Sequence, residues 1–97
     1  MKHLTGHETL EDVSKLVAQG ERILLSSSAM KIILKSLIAK EITAEKAQHL
    51  ADVFECELVD YDLFKSQEIA DILFELSSPE INGVVTPERC IELIAKL

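Results

Sequence analysis

The stretch Ser26–Lys40, SSSAMKIILKSLIAK, constrains this chain more than any other. At about 100° per residue, Ala29, Met30, Ile32, Ile33, Leu34, Leu37 and Ile38 sweep roughly two-thirds of a helix circumference. Only a strip through Ser28, Lys31 and Lys35 is left polar. A surface helix shows a narrower apolar stripe, so this one must be enclosed by neighbours on most sides. It does not read as a membrane span, because the run is short and carries Lys31, Lys35 and Lys40. A cap from Ser26, Ser27 or Ser28 suits its first turn, and Lys40 suits the negative end of its dipole.

A helix enclosed in this way needs partners, and most of the chain carries helical patterns. Residues 1–8 read as a ragged terminus. Thr9 is then a cap, with Glu11 and Asp12 in the first turn. Leu10, Val13, Leu16 and Val17 follow at helical spacing, and Gly20 offers a left-handed stop, so a first helix is predicted over residues 10–19. Glu21–Leu25 fits either an extension into the central helix or a separate turn, and the short turn is the preferred reading. Thr43 caps a third helix ending near Glu57, with Ala47, Leu50, Ala51, Phe54 and Leu58 on one face. Val59–Asp62 reads as a connector, with Asp62 capping a fourth helix over Leu63–Leu76. Ile69, Ile72, Leu73 and Leu76 face inward there, while Phe64 and Phe74 widen the apolar surface.

Pro79 ends that helix, since proline disfavours helical geometry in the residue before it. Asn82-Gly83 is the clearest turn, and Val84-Val85 is too short for an independent strand. Thr86-Pro87-Glu88 combines a cap, a first-turn proline and a first-turn acid, opening a fifth helix through Cys90, Ile91, Leu93, Ile94 and Leu97. No strand of normal length and alternation is visible. The expectation is an all-α fold, a single domain over residues 1–97 built as a compact bundle of five helices.

Hydrophobic residues make up 47% of the chain, with three Gly and two Pro, so a core is affordable without disulfides or metals. Cys56 and Cys90 sit in apolar helical patterns outside any metal spacing and read as reduced thiols. The N-terminus MKHLTGHETLED has no apolar signal core, and both features fit a reducing cytoplasm. His3 and His7 lie four apart but before the first cap, beside Gly6, which is a poor frame for a metal. Ser26–Ser28 are explained by capping, and Gly6, Gly20 and Gly83 are too scattered for a phosphate loop. The reading is a protein that is not an enzyme, with no catalytic residues, metal ligands or cofactor.

Charge is the feature left over. The net charge of −7 is unevenly distributed: residues 1–40 carry +2 and residues 41–97 carry −9. Between Lys46 and Lys65 there is no Lys or Arg, while Asp52, Glu55, Glu57, Asp60 and Asp62 accumulate around Tyr61. Such a block repels phosphate backbones, which argues against direct nucleic-acid binding, and attracts basic protein surfaces. Tyrosine amid charge is a common hot-spot residue. Asp52, Glu55, Glu57, Asp60, Tyr61 and Asp62 are therefore the candidate partner-binding residues.

The last third, YDLFKSQEIADILFELSSPEINGVVTPERCIELIAKL, carries a resemblance. Its run LFELSSPEIN, the following turn and the Thr-Pro-Glu helix start resemble small α-helical immunity proteins of bacterial toxin systems, including contact-dependent growth inhibition. The resemblance implies a cytoplasmic protein that binds and neutralises a cognate toxin domain, often a nuclease. It transfers no binding residue, because such surfaces diverge with their toxins. Nuclease domains are commonly basic, so an acidic inhibitor is physically apt. The alternative is a small helical regulatory or adaptor protein whose apolar excess at Phe64, Phe74 and Leu76 is covered by homo-oligomerisation.

Overall fold

The computed structural model describes residues 2–83 and 85–97. The expectation for Val84-Val85 falls partly on Val84, outside the described residues, as does Met1 of the expected ragged terminus. In chain order the elements are β1 (Lys2–His3), α1 (Leu10–Ala18), β2 (Ile23–Leu25), α2 (Ser27–Ile38), α3 (Ala44–Phe54), β3 (Val59–Tyr61), α4 (Ser66–Ser77), α5 (Pro79–Asn82) and α6 (Pro87–Ala95). The chain is mostly helical, as expected, but it is not an all-α bundle of five. Among the described residues there are six helices and a three-stranded parallel sheet in the order β1-β2-β3.

The sheet corrects three expectations. Residues 2–4 are not ragged: Lys2 N–H donates to the Arg22 carbonyl at 2.8 Å and Leu4 N–H to the Leu24 carbonyl at 3.1 Å. Glu21–Leu25 is not merely a turn, since Ile23–Leu25 is the central strand, paired to Lys2-His3 on one side and Val59–Tyr61 on the other. The supposed connector at Val59–Asp62 is that third strand. Crossovers between parallel neighbours are right-handed almost without exception, and two in the same direction place their helices on one face. The burial pattern agrees. Leu4, Ile23, Leu25 and Val59 are buried, whereas His3 and Arg22 are exposed and Leu24 and Asp60 are half-buried.

Threonine and serine caps set most helix starts. Thr9 Oγ1 accepts from Asp12 N–H at 3.1 Å while Asp12 Oδ2 accepts from Thr9 N–H at 3.2 Å, a complete capping box. Ser26 caps α2, Thr43 caps α3 and Thr86 caps α6, each accepting from the backbone N–H three residues on. The fully buried face of α2 is Ala29, Met30, Ile33 and Leu34, with Leu37 and Ile38 half-buried, and the helix packs against α6 and α3. Arg89 of α6 grips Glu75 of α4 through bonds of 2.8 and 2.7 Å and reaches Glu92 at 2.8 Å. Among the described residues no helix is long and apolar enough to cross a membrane.

Two helix ends use the same device with different residues. After α1, Gly20 N–H donates to the Val17 carbonyl and Glu21 N–H to the Leu16 carbonyl, with Gly20 left-handed at φ +76°. After α2, Lys40 N–H and Glu41 N–H repeat the pattern onto Leu37 and Ser36, and Lys40 takes φ +61°. Both are Schellman closures, a motif that favours glycine because a Cβ crowds the backbone there. Lys40→Gly is therefore expected to raise stability by about 0.5–1 kcal/mol, less any gain in unfolded-chain entropy. Urea denaturation against the parent chain checks the sign, and a destabilised variant would mean that the Lys40 side chain contributes more than its strain removes.

Candidate protein-binding surface

The acidic residues named from the sequence divide into two groups. Asp52 and Glu55 stand exposed on the last turn and C-cap of α3, and Glu57 follows them, also exposed. A helix C-terminus already carries partial negative charge, which cations normally offset. No basic residue occupies the last turn of α3. The end of this helix is thus a concentrated negative pole, at a local cost in stability.

The other three belong to β3 and its exit, and the structure gives each an internal task. Asp60 is held by Arg22 through two hydrogen bonds of 2.8 and 3.0 Å across the open face of the sheet. Half-exposed as it is, this pair adds little stability, but it neutralises Asp60 as a lone acid. The Tyr61 hydroxyl donates to the Phe54 carbonyl at 3.0 Å, tying β3 to the end of α3. Burial, and then the nearby charge of Glu55, push that hydroxyl above the ordinary tyrosine pKa, which keeps it a donor. Glu55 and Tyr61 are therefore neighbours in space. Tyr61 is half-buried and braces the surface from within.

Asp62 does not cap the fourth helix, and that helix does not start at Leu63. The Asp62 Oδ1 atom accepts from Phe64 N–H at 3.1 Å, closing an Asx turn, and Lys65 N–H returns to the Asp62 carbonyl at 3.0 Å. The turn occupies residues 63–65, and α4 begins only at Ser66, with no side chain capping it. Leu63 and Phe64 are consequently 91% and 92% exposed. A missing cap costs about 1 kcal/mol, and leaving two such side chains in water forgoes roughly 1.5–3 kcal/mol each. Leu76, expected to need a partner, is buried instead, and Phe74 is only half-exposed.

The sequence alone placed Leu63 at the start of α4 and Phe64 on that helix as a widening of its apolar surface, whereas both stand on a turn before the helix. The available signal was Asp62 two residues before Phe64, the spacing of an Asx turn. Placements that break a local rule without a structural return are where a candidate binding surface is sought. The negative pole of α3 and the Leu63-Phe64 turn, joined by β3, both meet that description.

Elsewhere the chemistry is sparse. A cleft of about 290 Å³ between the β1–α1 loop and helices α2 and α3 has His7, Glu8, Glu41 and Lys46 on its walls. Burial alone would raise the Glu8 carboxyl, but hydrogen bonds from Thr5 and Gly6 outweigh it and hold Glu8 below the usual carboxylate value. Glu8 is thus committed to its own loop. His3 lies in β1 and His7 beyond Gly6, so they do not share a helix face. Among the described residues no group of three His, Cys, Asp or Glu is placed to hold a metal ion. Cys90 is buried, which pushes its thiol up, with the charge of Glu75 adding to the shift. Comparison with protein-family models, curated proteins and solved structures finds no match to this chain.

Proposed function

We propose that this chain is a protein-binding module that neutralises a basic toxin domain, an immunity protein in the sense of the resemblance carried by its last third. The observation that carries the reading is the uncompensated negative pole at the end of α3, formed by Asp52, Glu55 and Glu57. Those acids oppose the helix dipole and carry no ion pair among the described residues. Their positions lower stability, and electrostatic steering of a cationic partner is a function that would retain them. A nuclease domain, whose substrate is anionic, has the complementary charge. Activity as an enzyme is not part of the reading, which needs no reaction from the surface.

The test uses the basic C-terminal domain of a toxin encoded beside this chain, purified in an inactivated form. Association is expected to slow steeply as salt rises, since screening shortens from about 10 Å at 0.1 M to about 3 Å at 1 M. Replacing Asp52, Glu55 and Glu57 by Asn, Gln and Gln should slow association at least about 10-fold. The same substitutions should raise stability, by about 0.3–1 kcal/mol for each charge taken off the helix end. Binding kinetics and thermal melts read both effects. Salt-insensitive association, or a triple variant that binds like the parent, would reduce these acids to a solvated face.

A further inference from the structure

We propose that Leu63 and Phe64 are the apolar anchor of this interface, seated in a partner pocket that is hydrophobic at its base and rimmed by Lys or Arg. The inference rests on the binding reading above and deepens it by separating the groups that steer from the group that holds. Three observations support it. Leu63 and Phe64 are the two most exposed large hydrophobic side chains described, at 91% and 92%. The turn that displays them is closed by two hydrogen bonds to Asp62, so the pair is presented in one backbone arrangement rather than on a floppy loop. Little ordering is then lost on binding.

The third observation is the charge around them. Lys65 directly follows the pair, with its ammonium turned to the Lys96 carbonyl, but no Lys or Arg precedes it back to residue 47, and Asp52, Glu55 and Glu57 stand exposed on the segment leading into β3. Tyr61 ties that segment to the end of α3, beside Glu55. A hydrophobic anchor that follows an acidic segment fits a pocket of opposite design. It fits a second copy of the same acidic surface poorly, because like charges would meet around the anchor. Arrangements with a desolvated aromatic centre and a charged rim concentrate binding energy at the centre and leave the rim to set the encounter rate.

Phe64→Ala and Leu63→Ser are compared with the triple acid variant against the same inactivated toxin domain. Phe64→Ala should speed dissociation about 30-fold and leave the salt dependence of association unchanged. The acid variant should do the reverse. Circular dichroism melts should show no loss for Phe64→Ala, because an exposed side chain contributes little to folding. If the parent chain binds and Phe64→Ala dissociates at the parent rate, the anchor is overturned while the binding reading stands. If the parent does not bind, both fall. Sedimentation of the free chain supplies the remaining arm: a dimer abolished by Phe64→Ala would assign the pair to self-association and overturn the proposal.

Discussion

Leu34→Ala should destabilise the protein by about 2–5 kcal/mol, the range for truncating a fully buried leucine. Leu34 is 0% exposed and lies on the face of α2 that carries Ala29, Met30 and Ile33 into the core. α2 is gripped by α6 and α3, so the space left by the missing side chain has rigid walls and little means to collapse. A domain of this size has a total stability of about 5–15 kcal/mol, so the loss would be a large fraction of it. Lys35→Ala, one residue on and exposed, should stay within about 0.5 kcal/mol. Leu37→Ala should fall between them, because Leu37 is only half-buried at the edge of the core. Urea unfolding of the three variants decides the matter. Comparable effects at Leu34 and Lys35 would mean that α2 does not carry this face into the core.

Gly6→Ala should cost about as much, for an unrelated reason. Gly6 adopts φ +95°, where an L side chain is strained, and a Cβ built there would stand 2.7 Å from both the Ala29 carbonyl oxygen and the Ile32 Cβ. The oxygen belongs to the α2 backbone and cannot swing aside. Strain of this kind costs about 1–3 kcal/mol and overpacking a further 1–3 kcal/mol. The β1–α1 loop must therefore lift from α2 or α2 must shift. Because β1 is only two residues long and pairs through Lys2 and Leu4, lifting the loop threatens the strand as well. Gly20→Ala provides the control: φ is +76° but no heavy atom beyond its own chain neighbours lies within 4 Å of its Cβ position, so only the backbone strain remains. Equal losses for the two glycine variants in thermal melts would show that Gly6 makes no close approach.

The acidic chemistry of the proposed surface was legible in the sequence because charge composition is local and needs no fold to be counted. Its geometry was not. Asp60 meets Arg22 from 38 residues away, and nothing in the spacing of either predicts the meeting. Tyr61 turns toward the Phe54 carbonyl only because β3 is drawn alongside β2, and the neighbouring Leu63-Phe64 turn holds the two most exposed large apolar side chains among the described residues. An apolar pair that looks like the start of an amphipathic helix reads the same whether it is buried or displayed, so the distinction had to come from the fold.

What the sequence by itself determined is the helical part. Caps and periodicity are written within one or two turns of chain, so Thr9, Thr43 and Thr86 mark starts that the structure keeps, and Ser26 is the one of three candidate serines that caps α2. The breadth of its apolar run does not make α2 more enclosed than α3 or α4, since each of the three buries one face of four residues. The tertiary structure alone decided the sheet. Strands of two and three residues are too short to show alternation, and a parallel strand has no hairpin turn to announce its partner. Ile23 pairs with Val59 across 36 residues because the intervening helices carry the chain back in the same direction, and the energy of that pairing exists only once they have packed.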